Sequence, residues 1–341
     1  MNKFLFSIAA MVAALLCQPS MASCLDGKPL AGVNLSGAEF AAEKLPGKVF
    51  TDYVYPDLDE MRQFQAMGMN TFRLPFLWER LQPQLFGELD QAELQRIKDS
   101  VAAASSIGVC LILDVHNYGQ YRGNPIGSPQ VPRAALVDLW QRLLVNFKDP
   151  ANVAFDLMNE PAKLPTAEWA ATAQETLSAL RRKGSRHLIM VPGGGWSGAH
   201  SWYAKDGLVS NADAFRFFHD PLNNYMIEVH QYADADFSGT GNDCVDPARL
   251  SAIMADVALW ATSTRRRLFL GEFGVPANQP CLAALAAMMD AIKGNPAWGG
   301  WTYWAAGQWL TTYPFSVQPD GSGERPQMSI LKQAMPSQGK Q

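Results

Sequence analysis

The 341-residue chain is 48% hydrophobic and 18% charged, with a formal net charge of −4. These proportions fit a globular protein with a sizeable core and exclude an acidic disordered chain. The charges form no basic stripe, so no nucleic-acid partner is expected.

Residues 1–22 read as a separate object. Lys3 precedes an apolar stretch from Phe4 to Leu16, and Ser20-Met21-Ala22 places small residues where a signal peptidase reads. The stretch is short for a membrane span. The expectation is a cleaved export signal, a mature chain over 23–341, and a secreted protein, extracellular or periplasmic. Cys24 stands where a lipid-modified cysteine would become the new N-terminus, although Met21 departs from the Leu, Val or Ile that pattern prefers. Without that lipid, no membrane association is expected.

Apolar runs at 31–35, 71–76, 109–116, 153–160, 188–192, 225–232, 268–273 and 300–305 alternate with helix-period segments. The helical segments are 57–67, 90–107, 132–147, 166–183, 247–262, 279–292 and 327–334, and the stretch after the fifth run is poorly helical. Pro132, Thr166 and Pro247 mark helix starts; Gly68, Gly108 and Gly184 mark ends. Eight such units predict a single-domain (β/α)₈ TIM barrel, because the short apolar runs suit strands buried on both faces. A doubly wound open sheet is disfavoured, since no glycine-rich dinucleotide fingerprint follows the first run. Met61, Phe64 and Met67 read as a core stripe.

Export permits disulfides among Cys24, Cys110, Cys244 and Cys281. Cys110 lies within the apolar run Val109-Cys110-Leu111-Ile112-Leu113 and reads as a buried thiol. Cys244 and Cys281 lie in loop-like sequence and are expected to pair. Whether Cys24 and Cys110 pair is left open.

In a barrel, polar residues that close the strands converge on one face. Here they are Arg73 on strand two, Asp114-Val115-His116-Asn117-Tyr118 on three, Asn159-Glu160 on four, His230-Gln231-Tyr232 on six, Gly271-Glu272-Phe273-Gly274 on seven and Trp301-Thr302-Tyr303-Trp304 on eight. Singly each is weak: a lone histidine is more often structural, and a strand tryptophan is more often core. Together they place two carboxylates, Glu160 and Glu272, on strands that face each other across a barrel mouth. Glycosidic cleavage needs such a pair, one to protonate the leaving oxygen and one to attack or to activate water. A separation of about 5 to 5.5 Å, expected for retention, is predicted.

These blocks, with Gly32-Val33-Asn34-Leu35-Ser36-Gly37 and Asn70-Thr71-Phe72-Arg73-Leu74-Pro75, resemble the family 5 glycoside hydrolases, the large cellulase family, and within it the β-1,4-endoglucanases. The resemblance spans nearly the whole mature chain. It implies a retaining endo-β-1,4-glucanase using a two-glutamate double displacement, with a β-glucan polysaccharide or cello-oligosaccharide as substrate. It also implies that Glu160 is the proton donor and Glu272 the nucleophile. Arg73 would favour the ionised nucleophile and Tyr232 orient it, and His230 would lie beside the acid/base. Asn159 would hydrogen-bond the sugar 2-hydroxyl, His116 would contact the sugar or the nucleophile side, and Trp304 would underlie the reacting sugar. Further platforms are sought among Trp196, Trp309, Tyr118, Trp202 and Phe40, because flat rings stack on glucose.

No cofactor or metal is expected, and the working unit is read as a monomer. A metal-dependent hydrolase built on His116, His230 and nearby acids lacks convincing ligand spacing. A non-catalytic carbohydrate-binding barrel is the other alternative, yet both glutamates are present. Among glycanases, a mannanase, xyloglucanase or mixed-linkage glucanase would share the same pair. No linker or separate cellulose-binding module is visible, so accessible or soluble chains are the expected target.

Overall fold

Eight of the apolar runs become eight parallel strands, and they pair in sequence order until the last closes on the first. They are β1 (Leu30–Leu35), β2 (Thr71–Phe76), β3 (Cys110–Val115), β4 (Val153–Asp156), β5 (Ile189–Pro192), β6 (Tyr225–His230), β7 (Leu268–Glu272) and β8 (Trp298–Ala306). The computed structural model describes residues 24–321 and 323–336, so the expected export signal lies outside the described residues. The single-domain (β/α)₈ barrel expected from the sequence is the observed fold.

The helices that cross between strands or follow the last one are α1 (Leu58–Ala66), α2 (Gln91–Ser106), α3 (Arg133–Asn146), α4 (Thr166–Arg182), α5 (Asn211–Ala214), α6 (Pro247–Thr264), α7 (Gln279–Ile292) and α8 (Pro326–Gln333), with a further helical turn, Trp78–Leu81, just after β2. Local chemistry sets their starts: Asp57, Asp90 and Asn278 each accept a hydrogen bond from a first-turn N–H, and Pro247 opens α6. The fifth helix is a single turn, preceded by two 3₁₀ turns and a two-stranded ribbon, Lys205–Asp206 with Val209–Ser210. None of the described helices is long and apolar enough to cross a membrane.

The strands divide their side chains by a period of two. On β3, Leu111, Leu113 and Val115 join the large apolar shell beneath the helices, whereas Cys110 and Ile112 point into the barrel with Ala154, Met190, Met226 and Phe269. The lower interior is therefore largely apolar, and the charged residues enter the barrel towards the carboxyl ends of the strands.

Cys110 is not a thiol, as its apolar surroundings had implied. It is bonded to Cys24, 86 residues away, and both are buried. The N-terminal segment crosses the floor of the barrel, where Cys24 N–H donates to the Ala151 carbonyl at 2.8 Å. The Cys24 sulfur is thereby committed to the protein and is not available to a lipid. A second disulfide joins Cys244, in the loop after β6, to Cys281, in the first turn of α7.

Candidate active site

The site is organised around Arg73, which projects from β2 into the barrel with its side chain fully buried. Its guanidinium donates through Nε to Asp156 at 2.8 Å, through Nη1 to Asn34 at 2.9 Å and Glu272 at 2.8 Å, and through Nη2 to Asn159 at 2.8 Å. A planar fork of five N–H groups makes this many-sided hold possible, and lysine could not reproduce it.

Glu272 ends β7 and is 4% exposed. Arg73 holds its Oε1, and the Tyr232 hydroxyl donates to Oε2 at 2.9 Å. Burial opposes ionisation, but the charges of His230, Arg73 and His116, with the Tyr232 hydrogen bond, outweigh it and hold the carboxyl below its usual range. Tyr232, buried beside that negative charge, is driven well above the usual phenol range.

Glu160 lies four residues beyond the end of β4, with φ of 41°. That left-handed backbone is unusual for a residue with a side chain and marks a position fixed by its surroundings. Its Oε1 lies 2.9 Å from His230 Nδ1, and the other ring nitrogen, Nε2, lies 3.1 Å from Glu228. Burial opposes a charge on His230, but Glu272, Glu160 and Glu228 surround it and draw its pKa well above the ordinary value.

Glu160, His230 and Glu272 bring ligand atoms within 4.8 Å of one another, the one such group of three among the described residues. The Arg73 guanidinium already supplies positive charge there, so the three are not read as metal ligands. Asn159 is held between Arg73 and His116, whose Nε2 is 3.2 Å from the amide nitrogen. His116 is anchored at Nδ1 by Asp114 at 2.7 Å and stacks on Trp304 at 5.5 Å between ring centroids.

The rim is aromatic. Tyr118 lies edge-on to both His116 and Trp196, and Trp196 is 52% exposed. Trp309 is 40% exposed and leans on Phe40 at 6.4 Å. Trp202 is no platform: it is fully buried against Trp260 and Phe215, facing away from solvent.

The structure thus gathers Arg73, His116, Tyr118, Asn159, Glu160, His230, Tyr232, Glu272 and Trp304 in one pocket, with Trp196 and Trp309 at its edge. It adds residues the sequence reading passed over. Asp156 and Glu228 sit inside apolar runs, and Asn34 donates to the carbonyls of Gly271, Thr302 and Tyr303. Tyr313, in the loop after β8, packs on Phe315, which in turn packs on Tyr232. The signal for Asp156 and Glu228 was present: each lies two residues along its strand from an inward-facing neighbour, Ala154 and Met226.

The cellulase (glycosyl hydrolase family 5) model matches residues 31–308. Endo-β-1,4-glucanase B of Emericella nidulans is 32% identical over 307 residues, 89% of this chain and 90% of that protein. Among solved structures, XacCel5A in complex with cellopentaose is 46% identical with a TM-score of 0.88, covering 90% of this chain and 99% of that one. The endo-β-1,4-glucanase Xac0029 from Xanthomonas axonopodis pv. citri has the same identity and TM-score, covering 90% of this chain and 98% of that one. With the barrel and its paired glutamates, these likenesses make the chain a glycoside hydrolase: it belongs to the cellulase family, glycosyl hydrolase family 5.

Proposed function

We propose that this enzyme is an exported, monomeric endo-β-1,4-glucanase that cleaves internal β-1,4-glucosidic bonds with retention. The observation that carries the mechanism is the close approach of Glu160 and Glu272, one carboxyl oxygen of each lying within 4.8 Å of the other. Inverting enzymes need about 6.5–9.5 Å to seat a water between the two groups. The substrate assignment is supported by the endo-β-1,4-glucanase relatives and by the neighbour solved with cellopentaose. Export is supported by the character of residues 1–22 and by the two disulfides.

The roles follow from the surroundings. Glu272, ionised and aimed by Arg73 and Tyr232, attacks the anomeric carbon while Glu160 delivers a proton to the leaving glycosidic oxygen. The glycosyl ester that forms on Glu272 is then attacked by water, whose proton returns to Glu160. Asn159, pinned by Arg73 and His116, is placed to hydrogen-bond the sugar 2-hydroxyl, and Trp304 to underlie the ring. Trp196 and Trp309 offer flat faces to further glucose units.

Product analysis on cello-oligosaccharides with anomer detection tests the reading. Newly formed β-anomers from internal cleavage are the expected result. α-Anomers would overturn retention, and no cleavage of β-1,4-glucosidic bonds beside turnover of another glycan would overturn the substrate.

A further inference from the structure

Tyr232 lies just beyond β6, and its hydroxyl donates to Glu272 Oε2 at 2.9 Å. A tyrosine side chain pivots at its staggered torsions, so that hydrogen bond lasts only while the ring is held in place. Phe315 packs on the ring at 6.3 Å between centroids. The backbone of Gly239 meets it as well: a Cβ built there would fall 2.8 Å from two ring carbons and 2.9 Å from a third. Gly239 also has φ of 75°, so its backbone and the ring beside it both exclude a side chain.

Gly239 belongs to the loop after β6, whose base is closed by the Val245 N–H donating to the Ala233 carbonyl at 2.8 Å. Asp234, a buried residue that the proposed mechanism does not use, folds the loop back on itself. Its Oδ1 accepts from the Gly239 N–H at 2.9 Å. Its Oδ2 accepts from the Thr240 N–H at 3.1 Å, the Gly241 N–H at 2.9 Å and the Ser238 hydroxyl at 2.9 Å. Converging backbone N–H groups make a concavity suited to an anion, and here the anion is the chain's own. Burial opposes ionisation of Asp234, but these bonds outweigh it and hold the carboxyl below its usual range. The glycine that Asp234 grips is the same glycine that meets the Tyr232 ring.

We propose that Asp234 is a positioning residue for the nucleophile: it grips the loop at Gly239, the loop holds the Tyr232 ring, and the ring keeps its hydroxyl on Glu272. The inference rests on the reading of Glu272 as nucleophile. Besides Tyr232, the titratable groups within electrostatic reach of Glu272 are Arg73 on β2, His116 and Tyr118 after β3, Glu160 after β4, His230 on β6 and Tyr313 after β8. The sign of the effect separates positioning from simpler roles. Removing the Asp234 charge by itself would ease ionisation of Glu272 and move the acidic limb of its reactivity to lower pH. Loosening the Tyr232 hydroxyl takes a hydrogen bond from the ionised form and moves that limb to higher pH. Damage confined to the loop would lower the melting temperature and leave the limb in place.

The test is Asp234→Ala, made in the native enzyme and in Tyr232→Phe. The readout is the rate of trapping by a 2-fluoro-β-cellobioside with dinitrophenolate as leaving group. Glu272 forms an ester to the anomeric carbon, dinitrophenolate departs without a proton from Glu160, and intact mass follows the product. Asp234→Ala should slow trapping about tenfold and move its acidic limb up by about half a pH unit or more. Asp234→Asn keeps an acceptor oxygen for the loop and should fall between Asp234→Ala and the native enzyme. In Tyr232→Phe no hydroxyl remains to be placed, so adding Asp234→Ala should change the rate by no more than about twofold and leave the limb where it is. A limb that stays or moves down in Asp234→Ala overturns the proposal, and so does a full additive effect in the Tyr232→Phe background. Should Asp234→Ala not fold, Gly239→Ala replaces it: it displaces the ring with the Asp234 charge intact, and it must raise the limb in the native enzyme and not in Tyr232→Phe. An unmoved limb there is equally fatal. Native enzyme that is not trapped at Glu272 would overturn the nucleophile reading and the proposal with it; normal trapping with an unmoved limb overturns the proposal alone.

Discussion

Glu272 and Glu60 are buried almost equally, at 4% and 6% exposed, and their carboxyls are driven in opposite directions. At the barrel mouth, Glu272 meets Arg73, His230, His116 and Tyr232 and is held below the usual carboxylate range. In the first turn of α1, Glu60 has both oxygens buried with no hydrogen-bond partner, and burial, helped by Asp57, pushes it up to about 7. Burial alone makes a weak acid; burial with placed partners makes a strong one. The family 5 site uses the second arrangement to keep one glutamate charged within an interior that disfavours charge.

The largest test of that contrast is Glu272→Gln, which keeps the shape and removes the charge. Turnover should fall by about 10⁴-fold with the fold intact, as read by initial rates and circular dichroism. The same exchange at Glu60 should leave turnover alone.

Arg73→Met strikes the partners instead. It strands Asp114, Asp156, Glu228 and Glu272, and should cost about 3–5 kcal/mol in urea unfolding. Glu272 would then behave more like Glu60, so any residual activity should show its acidic limb at higher pH.

Glu60→Gln is the reverse experiment. An acid whose folded-state pKa is raised binds its proton more tightly in the folded chain, so stability is unaffected below about pH 4.5 and declines as pH rises through about 7. The variant should match the native protein near pH 4.5 and exceed it by up to about 3 kcal/mol at pH 8, in unfolding curves at both values. Equal stability at pH 8 would mean that Glu60 has a partner in solution.

The smallest effect is expected from Trp196→Ala, which touches neither acid. Losing about 1 kcal/mol of ring contact should weaken cello-oligosaccharide binding by roughly five- to tenfold. The pH profile should not move, which separates rim from charge.

Much of this was legible in the sequence because barrel strands are short, apolar and punctuated. Arg73, Glu160, His230 and Glu272 announce themselves as polar residues closing apolar runs. Asp156 and Glu228 do not, because each falls inside its run, and only the period-two alternation past Ala154 and Met226 places them on the inner face. Trp202 misled for a different reason. Its glycine-rich neighbourhood resembles that of Trp196, but its burial depends on Trp260, contributed by a helix far along the chain. Cys110 misled likewise, since its partner arrives from the N-terminal segment at the opposite end of the barrel from the chemistry.

That last bond bears on how the enzyme is made. The Cys24–Cys110 bridge ties the leading segment to the third strand, closing a loop that spans the first two βα units. Disulfides typically stabilise by about 2–4 kcal/mol, chiefly through the unfolded chain and more for longer loops. A host whose cytosol keeps thiols reduced would yield the same pocket on a barrel with an unpinned floor. Heat tolerance, then, is conferred partly by the compartment in which the chain folds, and a preparation can match another in turnover while differing in shelf life.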